Sequence, residues 1–258
     1  MAPAPAPQNT QQLLSQSLPD LCVGSSTTTH SALQNIKFVG QLRSWMDFKA
    51  DASAAFLSHQ WDPTPIYWTP TGRAPATLAK EYFAVLSLVA EAEGLDFRFA
   101  GPKCVPGASE LVPDFIIMGR SDEEAIAVGE MKAPWVSEHR LQAKVVRAQK
   151  GSNTALRKSL GQIANYMHRM HLKYGILSTY DETVFLRQTV HQHKWTLEFS
   201  PVIKHKHSTG GFEIQYWQSD WQDAQPEMDS NLDIPATVLG YLVFLGHERK
   251  NLGSNEKF

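Results

Sequence analysis

The stretch "VPDFIIMGRSDEEAIAVGEMKAPW", residues 112–135, holds two apolar runs joined by the polar segment "RSDEE". Continuous apolar runs of this length predict two strands near the centre of a sheet. Asp114, Glu130 and Lys132 nevertheless lie in or beside these runs. Because burying a charge is costly unless it is paired or bound to a metal, this stretch predicts a functional site as well as a fold.

The three ionisable side chains are expected to converge. Asp114 is expected inside the first strand, directly after Pro113, whereas Glu130 and Lys132 lie two apart on the second strand and therefore leave the same face of the sheet. Carboxylate oxygens are suitable ligands for Mg²⁺, and Mn²⁺ is the alternative. A metal held by Asp114 and Glu130 could polarise a scissile phosphate and activate a water, while Lys132 orients that water or stabilises developing charge.

The flanking segments predict the rest of an α/β core. The segment 75–94 has helical spacing of its apolar residues, and "LDFRFAG", 95–101, alternates as a half-buried strand does. A second helix is predicted over 154–175, and two further strands follow over 174–188. The predicted order is helix, three strands, helix, two strands, in a mixed β-sheet flanked by helices. The apolar stripe of the second helix consists of Leu156, Leu160, Ile163, Met167 and Met170.

The charge of the chain is unevenly distributed. Residues 132–173 hold nine lysines and arginines against a single acid, Glu138, although the chain as a whole has a net charge of −2. The second helix is expected to turn a polar, basic face outward, in which Gln162 and Tyr166 lie among its basic residues. A basic surface of this kind predicts an anionic partner. The candidate nucleic-acid-binding residues are Lys144, Arg147, Lys158, Arg169 and Lys173.

The motifs Pro113-Asp114, Glu130-x-Lys132 and Gln162-x-x-x-Tyr166, in this order of elements, resemble the PD-(D/E)XK nuclease superfamily. The detail most resembles the fungal-type nuclease-like domains of that superfamily. The resemblance implies a restriction-endonuclease-like core over about residues 75–190. It also implies that Asp114 and Glu130 bind Mg²⁺ or Mn²⁺ and that Lys132 supports the nucleophile. Gln162 and Tyr166 would then support the site or contact nucleic acid.

Many members of the superfamily carry a further acidic residue on the first helix. Glu81 is the candidate for this third metal ligand, and Glu91 and Glu93 compete with it. Histidines suggest a different metal site, because imidazole nitrogens are common ligands of zinc. That alternative would use His191, His193, His205 and His207.

Two functions from different classes follow from the resemblance. The first is a metal-dependent nuclease that hydrolyses phosphodiester bonds of nucleic acid, DNA rather than RNA, by a metal-activated water. The second is a catalytically silent module of the same fold that binds nucleic acid or a protein partner, because a fold does not fix a function. A homodimer is left open.

The ends of the chain are simpler in composition. Residues 1–32 are rich in Ala, Pro, Gln, Ser and Thr, which predicts a disordered arm, and residues 33–258 are predicted to form one nuclease-like domain. The aromatic residues between 45 and 68 are expected to pack in the core or to stack on bases. No apolar run reaches the ~20 residues that cross a bilayer, and the N-terminus lacks the features of a secretory signal. With only two cysteines, we expect an intracellular protein without membrane contact, in either the nucleus or the cytoplasm.

Overall fold

The structure, a computed structural model, describes residues 7–14, 36–66, 83, 86–101, 103, 112–204, 241 and 243–245. These residues form an α/β fold in which one mixed eight-stranded sheet carries helices on both faces. The predicted class, a mixed β-sheet flanked by helices, is confirmed. Within the described part of the chain, no helix has both the length and the apolarity needed to cross a membrane.

The sheet combines parallel and antiparallel neighbours. Its strands are β1 (Gln41–Ser44), β2 (Arg98–Ala100), β3 (Phe115–Met118), β4 (Ala125–Met131), β5 (Tyr174–Ser178), β6 (Glu182–His191), β7 (Lys194–Phe199) and β8 (Ile203–Lys204). Their order across the sheet is β1-β7-β6-β5-β4-β3-β2, and β8 pairs with β6. The pairs β4 with β5 and β1 with β7 are parallel, and the other pairs are antiparallel.

Helices precede β1 and lie in the connections between β1 and β2 and between β4 and β5. They are α1 (Thr10–Leu14), α2 (Phe48–Ser58), α3 (residues 86–92), α4 (Gln142–Gln149) and α5 (Thr154–Arg169). Because parallel strands cannot be joined by a tight turn, β4 and β5 need a long crossover, and α4 and α5 form it. The α4 segment is thus helical, although the sequence patterns predict no helix there.

The sheet buries both of its faces. Alternate residues of β3 point to opposite sides, so Phe115 and Ile117 meet α2 and α3, whereas Ile116 and Met118 meet α4 and α5. The predicted stripe of α5 is buried at Leu156, Leu160, Ile163 and Met167. A strand buried on both faces reads as a continuous apolar run, which explains the pattern of residues 115–118.

Two glycines permit close approaches that position the site. A Cβ at Gly129 of β4 would lie 1.8 Å from the ring of Phe115, so only glycine lets this ring cover the strand. A Cβ at Gly161 of α5 would lie 1.9 Å from the carbonyl oxygen of Ile36. Helix α5 therefore packs directly on the backbone that leads into β1.

The N-terminal segment differs from its prediction. Residues 7–14 belong to the predicted disordered arm, yet Thr10–Leu14 is helical, Leu13 is buried in the core, and Gln8 forms a β-bridge with Ile66. This part of the arm is therefore ordered, because its apolar side chain finds a place in the same core as α2 and α3. The rest of residues 1–32 lies outside the described part of the chain.

Candidate active site

Asp114 and Glu130 meet where β3 begins and β4 ends. Asp114 was expected inside this strand, but it lies just before β3, which begins at Phe115. Its backbone N donates to the carbonyl of Gly129 at 3.1 Å, and its Oδ2 accepts from the backbone N of Met131 at 2.6 Å. Since Phe115 pairs with Gly129, continuing this antiparallel register brings Asp114 opposite Glu130.

A chain of hydrogen bonds links the end of β4 to α5. Lys132 Nζ lies 2.6 Å from Glu130 Oε1 and 2.9 Å from Gln162 Oε1. Gln162 Nε2 donates to the Tyr166 hydroxyl at 2.8 Å, and this hydroxyl donates to the carbonyl of Val112 at 3.2 Å. The network thus runs from β4 through α5 to the segment before β3. It brings the predicted residues Glu130, Lys132, Gln162 and Tyr166 together, beside Asp114.

The local sequence explains how these residues reach one place. The four-residue spacing of Gln162 and Tyr166 puts both on one face of α5, and the backbone N of Lys132 donates to the carbonyl of Ser178 at 2.8 Å. Lys132 is therefore fixed to the neighbouring strand β5 even though β4 has ended. Proline at 113 favours an extended conformation at Val112, the residue whose carbonyl accepts from α5.

The ion pair at the centre of the site is buried. Glu130 is 4% exposed and Lys132 is 8% exposed. Burial raises the pKa of Glu130 to about 7, and the nearby charge of Asp114 also raises it, although the hydrogen bond from Lys132 opposes both effects. Glu130 Oε2 is buried and has no hydrogen-bond partner among the described residues. The second oxygen of this carboxylate is therefore available to a further ligand.

Burial also acts on the neighbours of Glu130. It raises the pKa of Asp114, although this residue keeps substantial solvent contact and the Met131 amide and the Lys132 charge pull the pKa down. It raises the pKa of the Tyr166 hydroxyl as well, with the charges of Glu130 and Asp114 adding to the effect. Burial is the largest cause of both shifts, and the site as a whole pairs two carboxylates with a single ammonium group.

A divalent cation fits this shortage of positive charge. In the described part of the chain, no group of three or more His, Cys, Asp or Glu side chains is placed to hold a metal. Mg²⁺ nevertheless keeps several waters and is commonly held by only one or two carboxylates together with substrate phosphates. Asp114 and the unpartnered Oε2 of Glu130 are such oxygen donors, so the residues present are compatible with Mg²⁺ or Mn²⁺.

The candidates for a third acidic ligand have different outcomes. Glu81 lies outside the described residues. Glu93 Oε2 is 3.0 Å from His59 Nε2 and accepts from the backbone N of Asp62 at 3.1 Å, so its carboxylate holds α2 to α3. Glu91 lies 3.4 Å from Arg120 in an ion pair. Glu91 and Glu93 thus have structural partners that the sequence did not reveal.

The predicted basic face of α5 is only partly exposed. Gln162 and Tyr166 are buried in the hydrogen-bond network and do not lie on a solvent-exposed face, which corrects the expectation from helical spacing. Lys158 and Arg169 are exposed, whereas Lys173 follows the helix and places its Nζ 5.3 Å from the Tyr174 ring. Both side chains point inward because Gln162 hydrogen-bonds Lys132 and Tyr166 hydrogen-bonds Gln162 and the Val112 carbonyl.

The candidates on α4 also divide into two kinds. Arg147 is exposed. Lys144 is half-buried, and its Nζ donates to Ser159 Oγ at 2.6 Å and to the carbonyl of Glu138. Burial lowers the pKa of Lys144. Lys144 therefore ties α4 to α5, and Arg147 remains the candidate for phosphate contact on this helix.

His139 belongs to the surroundings of the site, although nothing in the spacing of the sequence points to it. It is buried, and its Nδ1 lies 2.9 Å from the carbonyl of Ala133. Burial lowers the pKa of His139, and the charge of Lys132 lowers it further. Its Nε2 has no hydrogen-bond partner among the described residues. His139 therefore braces the turn that follows Lys132.

Two further expectations concern other parts of the chain. His191 and His193 are exposed at the turn between β6 and β7, while His205 and His207 lie outside the described residues, so zinc binding by these histidines stays a prediction. Among the aromatic residues of 45–68, Trp45 and Phe48 are buried and pack against each other with ring centroids 5.1 Å apart. These two rings serve the core and are not available to bases.

Comparison of the chain with protein-family models, curated proteins and solved structures finds no significant match. The class of the site therefore has to be argued from its own geometry. That geometry is a pair of carboxylates and a buried lysine at the end of a strand, held by an amide and a phenol from one helix.

Proposed function

We propose that this protein is a metal-dependent nuclease of the PD-(D/E)XK type, with a restriction-endonuclease-like core, that hydrolyses phosphodiester bonds of DNA. The observation that carries this proposal is the convergence of Asp114, Glu130 and Lys132 at the end of β4, where one oxygen of Glu130 has no hydrogen-bond partner among the described residues. Strand pairing alone does not require such a cluster, because a core gains nothing from a buried carboxylate with a second carboxylate nearby.

Asp114 and Glu130 would hold the cation in this proposal. Bound Mg²⁺ supplies a Lewis acid that polarises the scissile phosphate and lowers the pKa of an attacking water. Ligand carboxylates bind a metal in their ionised form, so metal affinity should rise with pH as Glu130, with its pKa of about 7, loses its proton. A bound cation would oppose the burial that raises this pKa.

Lys132 would stabilise negative charge on the phosphate as bond breaking proceeds. Gln162 and Tyr166 are positioning residues in this scheme, because Gln162 contacts Lys132, Tyr166 contacts Gln162, and neither would touch the substrate. Tyr166 in turn is anchored to the Val112 carbonyl, two residues before Asp114. The helix thereby fixes the distance between the lysine and the first carboxylate.

The proposal is tested by incubating wild type, Lys132→Met and a control variant with plasmid, linear and single-stranded DNA and with RNA. Each reaction is run with Mg²⁺, with Mn²⁺ and with chelator. Lys150→Met is the matched control, because Lys150 is exposed and lies in the same basic segment. We expect metal-dependent cutting of DNA by wild type and control, and a loss of about 100-fold or more in Lys132→Met, the size seen when one charge-stabilising donor is removed. Absence of cutting by wild type on every substrate would refute the nuclease.

A silent module of the same fold is the second candidate, and the ion pair itself favours it. Lys132 Nζ is within hydrogen-bond distance of both Glu130 and Gln162, so its charge is balanced without any ligand. Titration of Mg²⁺ or Mn²⁺ by calorimetry separates the two candidates. A nuclease should bind the ion and lose that binding in Asp114→Asn and Glu130→Gln, whereas a silent module should show no binding in any of the three proteins.

Nucleic-acid binding can be tested separately from cutting. Arg147 and Lys158 are exposed in the segment of excess positive charge. Because each neutralised phosphate releases counterions, binding in the presence of chelator should weaken steeply with salt. Arg147→Gln with Lys158→Gln should reduce the slope of log affinity against log salt by about 2 if both residues contact phosphates. An unchanged slope would remove these two residues from the interface.

A further inference from the structure

Each carboxylate of the candidate site has one oxygen engaged by a donor of the protein. Glu130 Oε1 lies 2.6 Å from Lys132 Nζ, and Asp114 Oδ2 accepts from the backbone N of Met131 at 2.6 Å. Both distances lie at the short end of the hydrogen-bond range. The protein therefore fixes one oxygen of each carboxylate before any ligand arrives.

The side chain of Lys132 is held against Glu130 by several contacts. Lys132 is 8% exposed, and its Nζ also lies 2.9 Å from Gln162 Oε1, whose amide nitrogen donates to the Tyr166 hydroxyl. The backbone N of Lys132 donates to the Ser178 carbonyl at 2.8 Å. Moving the ammonium away would leave buried charges unpaired, which is costly. Lys132 therefore keeps Oε1 of Glu130 occupied when a further ligand approaches.

The second oxygen of Glu130 is different, because Oε2 is buried and has no hydrogen-bond partner among the described residues. A divalent cation that bound both oxygens of Glu130 would lie beside the Lys132 ammonium, and two cations close together in a buried place repel each other strongly. A cation on Oε2 alone lies farther from that ammonium. We propose that Lys132 restricts Glu130 to coordination through Oε2 alone, so that the site disfavours Ca²⁺ relative to Mg²⁺.

The two ions differ in the number of oxygen ligands they need. Ca²⁺ takes about six to eight oxygens, often two of them from one carboxylate, whereas Mg²⁺ takes about six in octahedral geometry and keeps several waters. A carboxylate that offers one oxygen removes a ligand that Ca²⁺ uses and Mg²⁺ replaces with water. This inference rests on the proposed function, since it names the class of ion for that same site and makes Lys132 a determinant of ion specificity.

The test uses Mn²⁺ as a probe of the site in the absence of nucleic acid. The paramagnetic resonance signal of free Mn²⁺ measures its binding to wild type, Lys132→Met and Lys150→Met, and competition with Mg²⁺ and with Ca²⁺ then gives the affinity for each ion. Lys150→Met is the matched control, because it removes the same charge from an exposed position. Thermal denaturation shows that each variant is folded.

We expect the ratio of Ca²⁺ affinity to Mg²⁺ affinity to rise about fivefold or more in Lys132→Met, the size of one modest polar contact. Loss of a positive charge raises the affinity for both ions alike, so the ratio cancels that effect and reports the freed Oε1 of Glu130. The ratio should stay within about twofold of wild type in Lys150→Met. An unchanged ratio in folded Lys132→Met would overturn the inference, as would an equal rise in Lys150→Met.

Infrared spectroscopy gives a second measurement, which needs only the folded wild type and Glu130→Gln. The separation between the asymmetric and symmetric stretching bands of a carboxylate is wider when one oxygen binds a metal than when both do. Spectra are recorded with and without Mg²⁺ or Ca²⁺ on protein with isotopically labelled glutamate carboxyl groups, and bands absent from Glu130→Gln are assigned to Glu130. We expect the wide separation with either ion, and a narrow separation would contradict one-oxygen coordination.

The outcomes also separate this inference from the proposed function. If wild type cuts DNA with Mg²⁺ but Lys132→Met keeps the wild-type ratio of ion affinities, the inference fails and the nuclease stands. If the ratio rises as expected but wild type cuts no nucleic acid, the ion site stands and the nuclease fails. If wild type binds no divalent cation, both fail.

Discussion

Replacing Glu130 with glutamine should stabilise the metal-free protein above neutral pH and leave its stability unchanged in acid. Glutamine has nearly the shape of glutamate and keeps a carbonyl oxygen that can accept from Lys132 Nζ, so the change removes a charge and little else. The burial of residue 130 makes that charge costly. The effect therefore isolates the electrostatics of the candidate site from its packing.

The magnitude follows from the pKa of Glu130. It rises from an ordinary value of 4.5 to about 7 in the folded protein. Below pH 4.5 the carboxyl is protonated in both the folded and the unfolded chain. Between 4.5 and about 7 the folded protein keeps a proton that the unfolded chain has released, so the free energy of unfolding falls as the pH rises. At about 1.4 kcal/mol for each pKa unit, the loss reaches about 3 kcal/mol above neutral pH.

Urea denaturation with chelator present, repeated across this pH range, measures the difference between Glu130→Gln and wild type. Glu124→Gln is the control, because Glu124 is exposed just before the same strand. We expect the difference for Glu130→Gln to grow from near zero in acid to at most about 3 kcal/mol in favour of the variant above neutral pH, while Glu124→Gln stays within about 0.5 kcal/mol of wild type throughout.

A difference that does not vary with pH would refute this reasoning. The stability advantage of the neutral variant comes only from the free energy of unfolding that wild type loses when Glu130 ionises. Mg²⁺ provides a second check under the proposed function. At about 100 times its dissociation constant, a ligand that binds only the folded state adds about 2.7 kcal/mol to wild type, which should cancel most of the advantage of Glu130→Gln.

Three further predictions concern the scaffold of the site. Gly129→Ala should lower the free energy of unfolding by about 1–3 kcal/mol, because the new Cβ would lie 1.8 Å from the Phe115 ring, and a rise in stability by urea denaturation would contradict this packing. Glu182→Ala should cost about 1 kcal/mol by the same assay, since Glu182 Oε2 accepts from the first two backbone N atoms of the α4 region at 2.5 and 3.1 Å, and no change would show that this cap is dispensable. Tyr166→Phe should cost about 1–2 kcal/mol by removing a buried hydroxyl that donates to the Val112 carbonyl, and a wild-type melting temperature would argue against this contact.

Several strands and helices could be predicted from the sequence, because the spacing of apolar residues within one element depends only on the local backbone geometry. The runs around residues 115 and 128 are apolar because both faces of those strands are covered, and the stripe of α5 repeats with the period of a helix. Helix α4 is not predicted from the sequence, since it is only eight residues long and its N-terminus is completed by Glu182, about 40 residues further along the chain. The short β1 is not predicted for a similar reason, because β7, its neighbour in the described sheet, lies about 150 residues away.

For the site, the sequence determined which chemical groups are present and that Glu130 and Lys132 leave one face of a strand, since strand geometry alternates side chains. It could not determine that Gln162 and Tyr166 point inward. Helical spacing predicts that two residues lie on the same face of a helix, but not whether that face is buried. Only the packing of α5 against β4 decided this, by placing an amide oxygen 2.9 Å from Lys132 Nζ. The same packing buried Glu130 and left its second oxygen without a hydrogen-bond partner in the described part of the chain, and that burial is the physical reason for its raised pKa.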